Sequence, residues 1–169
     1  MILGASGFIG SYLSQRISKN NNCNLRLFSR SEFNLQEADC IQGCLEDEDL
    51  LKNALKEINL AYYCVGPSNT LSSWKEPELA FDSTINPFLK FLGHAVNAKV
   101  NKVSFISSAG TVYGKNSQTH FEESMTAPFS PYGIMQLCME NFLRYYNEKH
   151  GLNYDIFRIS NPYGPSLII

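Results

Sequence analysis

Short apolar stretches alternate with longer amphipathic stretches along this 169-residue chain, and this alternation restricts the fold more than any other feature. Six stretches have the character of strands: residues 1–3, 25–30, 40–43, 60–66, 102–108 and 154–160. Four have helical patterns: residues 8–19, 47–57, 78–97 and 132–149. Residues 67–76 and 109–130 are predicted to be irregular. Because alternating strands and helices indicate βαβ units, the sequence predicts an α/β fold with a doubly wound parallel sheet.

The composition argues against several classes of protein. The chain is 44% hydrophobic and 18% charged, which is typical of a globular domain. A formal net charge of −2 does not favour binding to nucleic acid or to an anionic membrane. The apolar runs are far shorter than the roughly 20 residues of a membrane-spanning helix, and no basic leader begins the chain. We therefore expect a cytoplasmic protein without nucleic-acid or membrane partners.

The five cysteines are Cys23, Cys40, Cys44, Cys64 and Cys138, an odd number without a CxxC pair. This usage is typical of a reducing compartment, where thiols act as small hydrophobic groups. Cys40 and Cys44 have no histidines at a matching ligand spacing, so no metal site is predicted.

Both ends of the sequence look like cut ends. The first predicted strand has three residues before its glycine turn, where about five or six are usual. At the other end, residues 166–169 (SLII) form an apolar run that nothing follows. We expect residues 1–169 to be one domain from a longer chain.

A glycine-rich turn, GASGFIG (4–10), follows the first predicted strand and begins the first predicted helix. Gly4 permits a tight turn, Gly7 lets the backbone approach a pyrophosphate, and Gly10 lets the helix pack on the sheet. The helix N-terminus adds N–H donors and a positive dipole. The predicted dinucleotide contacts are Gly4, Ser6, Gly7, Phe8, Ile9 and Gly10. The alternative is an ordinary strand-to-helix turn.

The end of the second predicted strand bears on the choice between NAD and NADP. A carboxylate there binds the ribose hydroxyls of NAD, but this chain has Ser29 and Arg30, and Glu32 comes two residues late. Arginine binds a 2′-phosphate through two hydrogen bonds, so the pattern favours NADP over NAD. The alternative is that Arg30 is a solvated charge at the edge of the sheet.

Three further motifs follow in order: FISSAGTVYG (105–114), SPYGIMQLCMENFLRYY (130–146) and RISNPYGP (158–165). Together with the glycine turn they resemble the extended short-chain dehydrogenases/reductases, specifically the NAD-dependent epimerase/dehydratase family. The resemblance covers essentially the whole chain. It implies a Rossmann domain with NAD or NADP, a nucleotide-sugar substrate and activity like that of UDP-glucose 4-epimerase. It also implies that two copies can form a homodimer, and that most of the substrate domain is absent.

By position in these motifs, the resemblance assigns roles to individual residues. Tyr132 matches the catalytic tyrosine of a Y-x-x-x-K motif, and Gln136 stands at the lysine position. Ser108 matches the hydroxyl residue that contacts the reacting sugar oxygen, with Thr111 as the alternative. Asn161 matches a contact to the nucleotide sugar. Cofactor contacts are assigned to Cys44, Leu45, Cys64, Val65, Gly66, Asn86, Tyr132 and Gln136.

Two residues depart from the family pattern. Cys44 stands where relatives often carry an aspartate that reaches the adenine amine. Gln136 is neutral, whereas a lysine charge about 6 Å from Tyr132 would favour tyrosinate by roughly 2–3 kcal/mol, or about two pKa units. We therefore expect slow or absent hydride chemistry. Arg158 is expected to be structural.

Other interpretations stay open at this stage. Gln136 and Cys44 are compatible with a cofactor-binding module that performs no turnover. Arg30 is compatible with an NADPH-dependent carbonyl reductase, although RISNPYGP fits that class less well. Tyr132 and Ser108 could also be a packed core residue and a strand-end hydroxyl without chemistry.

Overall fold

Six parallel strands form one sheet at the centre of the structure, a computed structural model that describes residues 1–20, 23–66, 70–115 and 119–165. The strands are β1 (Ile2–Leu3), β2 (Arg26–Ser29), β3 (Asp39–Gln42), β4 (Leu60–Tyr63), β5 (Lys102–Ser108) and β6 (Asn153–Ile159). Their order is β3-β2-β1-β4-β5-β6. The chain winds from β1 to one side of the sheet, then enters β4 and winds to the other. This order confirms the predicted doubly wound fold.

The described helices are α1 (Phe8–Ser18), α2 (Glu48–Ala54), α3 (Thr70–Lys75), α4 (Pro77–Asn97), α5 (Ala109–Val112) and α6 (Pro131–His150). The bounds of α6 follow from its end residues. The Ser130 hydroxyl accepts a hydrogen bond from the Gly133 amide at 3.0 Å, and Pro131 occupies the first turn. Gly151 ends the helix at φ +68°, a conformation that suits glycine. In the described part of the chain, no helix has both the length and the apolar character to cross a bilayer.

Two segments predicted to be irregular contain short helices instead. The prediction for residues 67–76 is wrong over α3, which packs against α4 and α6. The prediction for residues 109–130 is wrong over α5, where Val112 is fully buried and the helix packs on α6. Both helices are too short to form from local propensity alone, so tertiary packing stabilises them.

The core lies on both faces of the sheet. The larger cluster joins β4 and β5 to α4 and α6, and aromatic rings fill its centre. Tyr63 packs on Phe88 and Phe91 with ring centroids 4.9 and 5.0 Å apart. A smaller cluster under α1 includes Ile2 and Leu27, which are paired in register between β1 and β2. These buried faces fix the positions of the strand ends that carry the site.

Candidate cofactor and active site

A cleft of about 320 Å³ opens at the carboxyl edge of the sheet, where the strand order reverses between β1 and β4. In doubly wound sheets the loops diverge at this point and leave a crevice for ligands. Ten predicted cofactor residues line the cleft: Gly4, Ser6, Gly7, Ser29, Arg30, Cys44, Leu45, Cys64, Val65 and Gly66. Three others, Phe8, Ile9 and Gly10, form the first turn of α1.

The glycine turn is closely packed against its own backbone. Gly4 has φ +79°, and a Cβ there would lie 2.9 Å from the carbonyl oxygen of Cys64 on the neighbouring strand end. A Cβ on Gly10 would overlap the carbonyl oxygen of Gly4. A larger residue at either position would therefore require the backbone to shift.

The N-terminus of α1 lies at the cleft, because its N-cap, Gly7, is one of the lining residues. Gly7 makes no side-chain hydrogen bond. The first helical hydrogen bond runs from the amide of Ser11 to the Gly7 carbonyl. The preceding amides, those of Phe8, Ile9 and Gly10, have no partner within the helix. Such amides and the helix dipole suit a diphosphate, so the residues present fit a dinucleotide.

The end of β2 supplies polar groups to the same cleft. The buried hydroxyl of Ser29 donates to the carbonyl of Ser31 at 2.6 Å, which commits it to the local turn. Gln42 donates to the backbone carbonyl of Arg30 at 3.2 Å and so fixes the backbone there, while the Arg30 side chain is exposed. Cys44 is also exposed. A cation thus lies at the predicted ribose end, and Glu46, a carboxylate that also lines the cleft, comes after β3 and not at the end of β2.

Helix α4 contributes residues other than the one predicted. Asn86 is exposed, donates to Asp82 at 3.3 Å and is not among the residues that line the cleft. Ser83, Thr84 and Pro87 line it instead. Because proline has no N–H, the carbonyl of Ser83 receives no helical hydrogen bond from that position. Pro87, a proline inside a helical pattern, is the feature of the sequence that could have indicated this face of α4.

Tyr132 and Gln136 lie one turn apart on α6, outside the set of residues that line the cleft. The Gln136 amide nitrogen donates to the phenol oxygen of Tyr132 at 2.8 Å, so the phenol proton is available for another acceptor. Gln136 is 2% exposed, and its amide oxygen has no hydrogen-bond partner among the described residues. Burial raises the pKa of Tyr132, and the hydrogen bond from Gln136 offsets part of that rise. Tyr132 is therefore a neutral hydrogen-bond donor at neutral pH.

The other predicted active-site residues surround the short helix α5. Ser108 is its half-buried N-cap and makes no side-chain capping bond. An ideal Cβ on Gly110 would lie 4.0 Å from the Ser108 hydroxyl and 3.9 Å from the Asn161 side-chain oxygen, so these two groups flank Gly110. The Thr111 hydroxyl is buried without a partner in the described residues. A Cβ on Gly133 would lie 2.7 Å from the Thr111 carbonyl, which places α5 beside the start of α6.

A buried ion pair lies behind this region. The fully buried carboxylate of Glu140 accepts two hydrogen bonds from Arg158, at 3.0 and 2.7 Å, and one from Ser107 at 2.6 Å. Hydrogen bonding to Glu140 raises the pKa of Arg158, which remains charged. The predicted structural role of Arg158 agrees with these contacts. Glu140 was missed, because an acidic residue in a helical pattern usually faces solvent.

The sequence matches the NAD dependent epimerase/dehydratase family over residues 1–167. The chain belongs to this family. Family membership confirms the resemblance inferred from the motifs, and it agrees with the switch-point cleft and the glycine turn described above.

Individual relatives within the epimerase/dehydratase family are distant. A Methanocaldococcus jannaschii protein, provisionally named a UDP-glucose 4-epimerase, is 28% identical over 97% of this chain and 56% of its own length. A UDP-glucose 4-epimerase from Lactobacillus helveticus is 25% identical over 98% of this chain and 52% of its own length. The crystal structure of Thermotoga maritima UDP-glucose 4-epimerase with UDP-glucose has a TM-score of 0.89 at 25% identity, covering 97% of this chain and 56% of that one. This chain spans about half the length of these relatives.

Proposed function

We propose that this chain binds NAD or NADP in the switch-point cleft and serves as the nucleotide-binding part of a nucleotide-sugar epimerase or dehydratase. The observation that carries the proposal is the glycine turn, whose residue Gly7 both caps α1 and lines the cleft. Membership in the NAD dependent epimerase/dehydratase family supports it. Similar proteins that are named UDP-glucose 4-epimerases indicate a nucleotide sugar as substrate. The same family membership supports a cytoplasmic location and a homodimer.

In this proposal, residues of this chain bind the cofactor, orient the sugar and exchange a proton with it. The turn amides hold the diphosphate, and Arg30 at the end of β2 favours a 2′-phosphate, which supports NADP. Ser108, with Thr111 as the alternative, orients a sugar oxygen, and Asn161 contacts the substrate beside it. Tyr132 exchanges the proton of the reacting oxygen. A bound nicotinamide supplies the hydride chemistry.

Gln136 disfavours removal of a proton by Tyr132 but allows donation of one. Removing a proton from a sugar hydroxyl requires tyrosinate, and a neutral amide stabilises tyrosinate less than an ammonium group does. Donating a proton to a carbonyl oxygen requires the neutral phenol, which the hydrogen bond from Gln136 allows. Gln136 therefore also favours a second candidate function, a cofactor-binding module with little or no turnover.

Calorimetric titration with NADH and NADPH, with and without UDP-glucose, tests the proposal. We expect both cofactors to bind, and Arg30→Ala to weaken NADPH binding about tenfold while NADH binding is unchanged. The matched control is Arg16→Ala, because Arg16 is exposed near the end of α1 and carries the same charge. Failure of a folded chain to bind either cofactor at millimolar concentration would disprove the proposal. Cofactor binding that UDP-glucose does not alter would favour the module.

A further inference from the structure

We infer that Trp74, Lys115 and Phe129 form a subsite for the pyranose ring and an anionic group of a nucleotide sugar. We call these three residues the aromatic subsite. The inference extends the proposed function, because it assigns the sugar a place that no residue of the cofactor cleft provides.

Three separate segments bring the aromatic subsite together. The rings of Trp74 and Phe129 have centroids 6.3 Å apart at an angle of 46°. The Lys115 ammonium lies 4.3 Å from the centre of the Phe129 ring. Trp74 is 53% exposed and Phe129 is 45% exposed, so about half of each side chain is in contact with solvent. Large aromatic groups that stay half exposed while they contact one another form a platform and not a core.

The platform lies beside the candidate active site. Trp74 is on α3, which follows β4, and Lys115 follows β5 and α5, so both come after the carboxyl ends of strands. Phe129 is three residues before Tyr132, and the Ser130 cap fixes the start of α6 between them. Helix α3 packs against α6. A sugar at Tyr132 therefore has the aromatic subsite next to it.

The chemistry of the aromatic subsite selects one class of ligand. The C–H face of a pyranose is apolar and packs on indole and phenyl rings, whereas its hydroxyls stay in water. A lysine over an aromatic face supplies positive charge at the edge of that platform. A sugar joined to an anion satisfies both features. The anion is either the diphosphate of any nucleotide sugar or the carboxylate of a nucleotide-linked uronic acid.

Trp74 is the single tryptophan of the chain, so its fluorescence reports on the aromatic subsite directly. We would titrate the chain with UDP, UDP-glucose and UDP-glucuronate in the presence of NAD⁺. We expect both sugars to change the emission of Trp74 saturably, and UDP alone, which has the diphosphate but no pyranose, to change it by a smaller amount. Tighter binding of UDP-glucuronate would identify the carboxylate as the partner of Lys115, and equal binding would identify the diphosphate.

Variants separate the aromatic subsite from general effects of charge. We expect Lys115→Gln to weaken sugar binding about tenfold and Phe129→Leu to weaken it about threefold or more. Lys149→Gln is the matched control, because that lysine also lies over a ring, 5.3 Å from the centre of Tyr145, and should have no effect.

Three results would overturn the inference: unchanged emission with both sugars, an equal change with UDP alone, or equal effects of the two lysine variants. Calorimetry with NADH, run on the same preparation, separates these results from failure of the proposed function. If NADH binds and Trp74 does not respond, the aromatic subsite is wrong and the cofactor proposal stands. If Trp74 responds and NADH does not bind, the aromatic subsite stands and the cofactor proposal is wrong.

Discussion

The contact between Gln136 and Tyr132 determines what the phenol can do. An amide donates one hydrogen bond to the phenol oxygen at 2.8 Å but brings no positive charge. Burial then dominates and raises the pKa of Tyr132. Because an ionised phenol in this position would be partly desolvated without a counter-charge, the neutral form prevails.

We predict that Gln136→Lys lowers the pKa of Tyr132 by about two units, because a unit charge at about 6 Å is worth roughly 2–3 kcal/mol. The measurement is an NMR titration of tyrosine labelled at the ring carbon that bears the hydroxyl. In the unsubstituted chain Tyr132 should titrate above 10, its ordinary value. Its raised pKa stabilises the fold below pH 10, and this contribution is lost as the pH rises through the folded-state pKa.

Gln136→Met is the control for this titration, since it keeps the length of the side chain and adds no charge. Without the hydrogen bond from Gln136, we expect the pKa of Tyr132 to rise further. A pKa that is equal in the lysine and methionine variants would show that charge at position 136 does not act on Tyr132.

At the scale of elements, the β1–α1 turn restricts substitution at its glycines. Gly4 needs a positive φ, and Gly10 packs directly on the Gly4 carbonyl. These contacts hold the start of α1 against the sheet, where its N-cap Gly7 lines the cleft. The stability of the turn and its proposed phosphate binding thus depend on the same glycines.

We predict that Gly10→Ala lowers the free energy of unfolding by about 1–3 kcal/mol, because the added methyl group overlaps a backbone carbonyl that cannot rotate away. Urea denaturation measures the change. Gly66→Ala is the matched control in the same cleft, since a Cβ there would have no atom of the described residues within 4 Å and should change stability by less than about 0.5 kcal/mol. Equal losses in the two variants would contradict this account of the turn.

At the scale of the whole molecule, Glu140 joins three elements. Its carboxylate on α6 bonds Ser107 on β5 and Arg158 on β6, which are 33 and 18 residues away in sequence. Arg158 also donates to Tyr113 at 2.8 Å. Because Ser107 precedes Ser108 and Glu140 follows Gln136 by one turn, this network sets the distance between the two sides of the candidate active site.

We predict that Glu140→Gln lowers the free energy of unfolding by about 3–5 kcal/mol, because it leaves the largely buried Arg158 without its counter-charge. Thermal or urea unfolding measures this. Arg144→Ala should cost no more than about 1 kcal/mol, although Arg144 lies 3.5 Å from the same carboxylate, because it is 43% exposed. Similar losses in both variants would show that burial of the pair does not control its contribution.

Local patterns in the sequence were enough to predict the doubly wound sheet, the four longer helices and half of the predicted residues that line the cleft. The other half, Cys44, Leu45, Cys64, Val65 and Gly66, came from the family resemblance. Strand and helix periods and the glycine spacing each depend on neighbours a few residues apart. Asn86 was assigned to the cofactor by resemblance, and the structure instead turns it to solvent beside Asp82. A motif specifies which helix approaches a site but not the rotation of that helix.

Only the tertiary structure decided which distant side chains meet. The short helices α3 and α5, the Glu140–Arg158 pair and the contact of Trp74 with Phe129 all join residues far apart in sequence. No local period predicts such contacts, because their free energy comes from burial that exists only after the sheet and its helices have packed. The sequence by itself determined the framework and its glycine turn, and packing of that framework determined the surroundings of Tyr132.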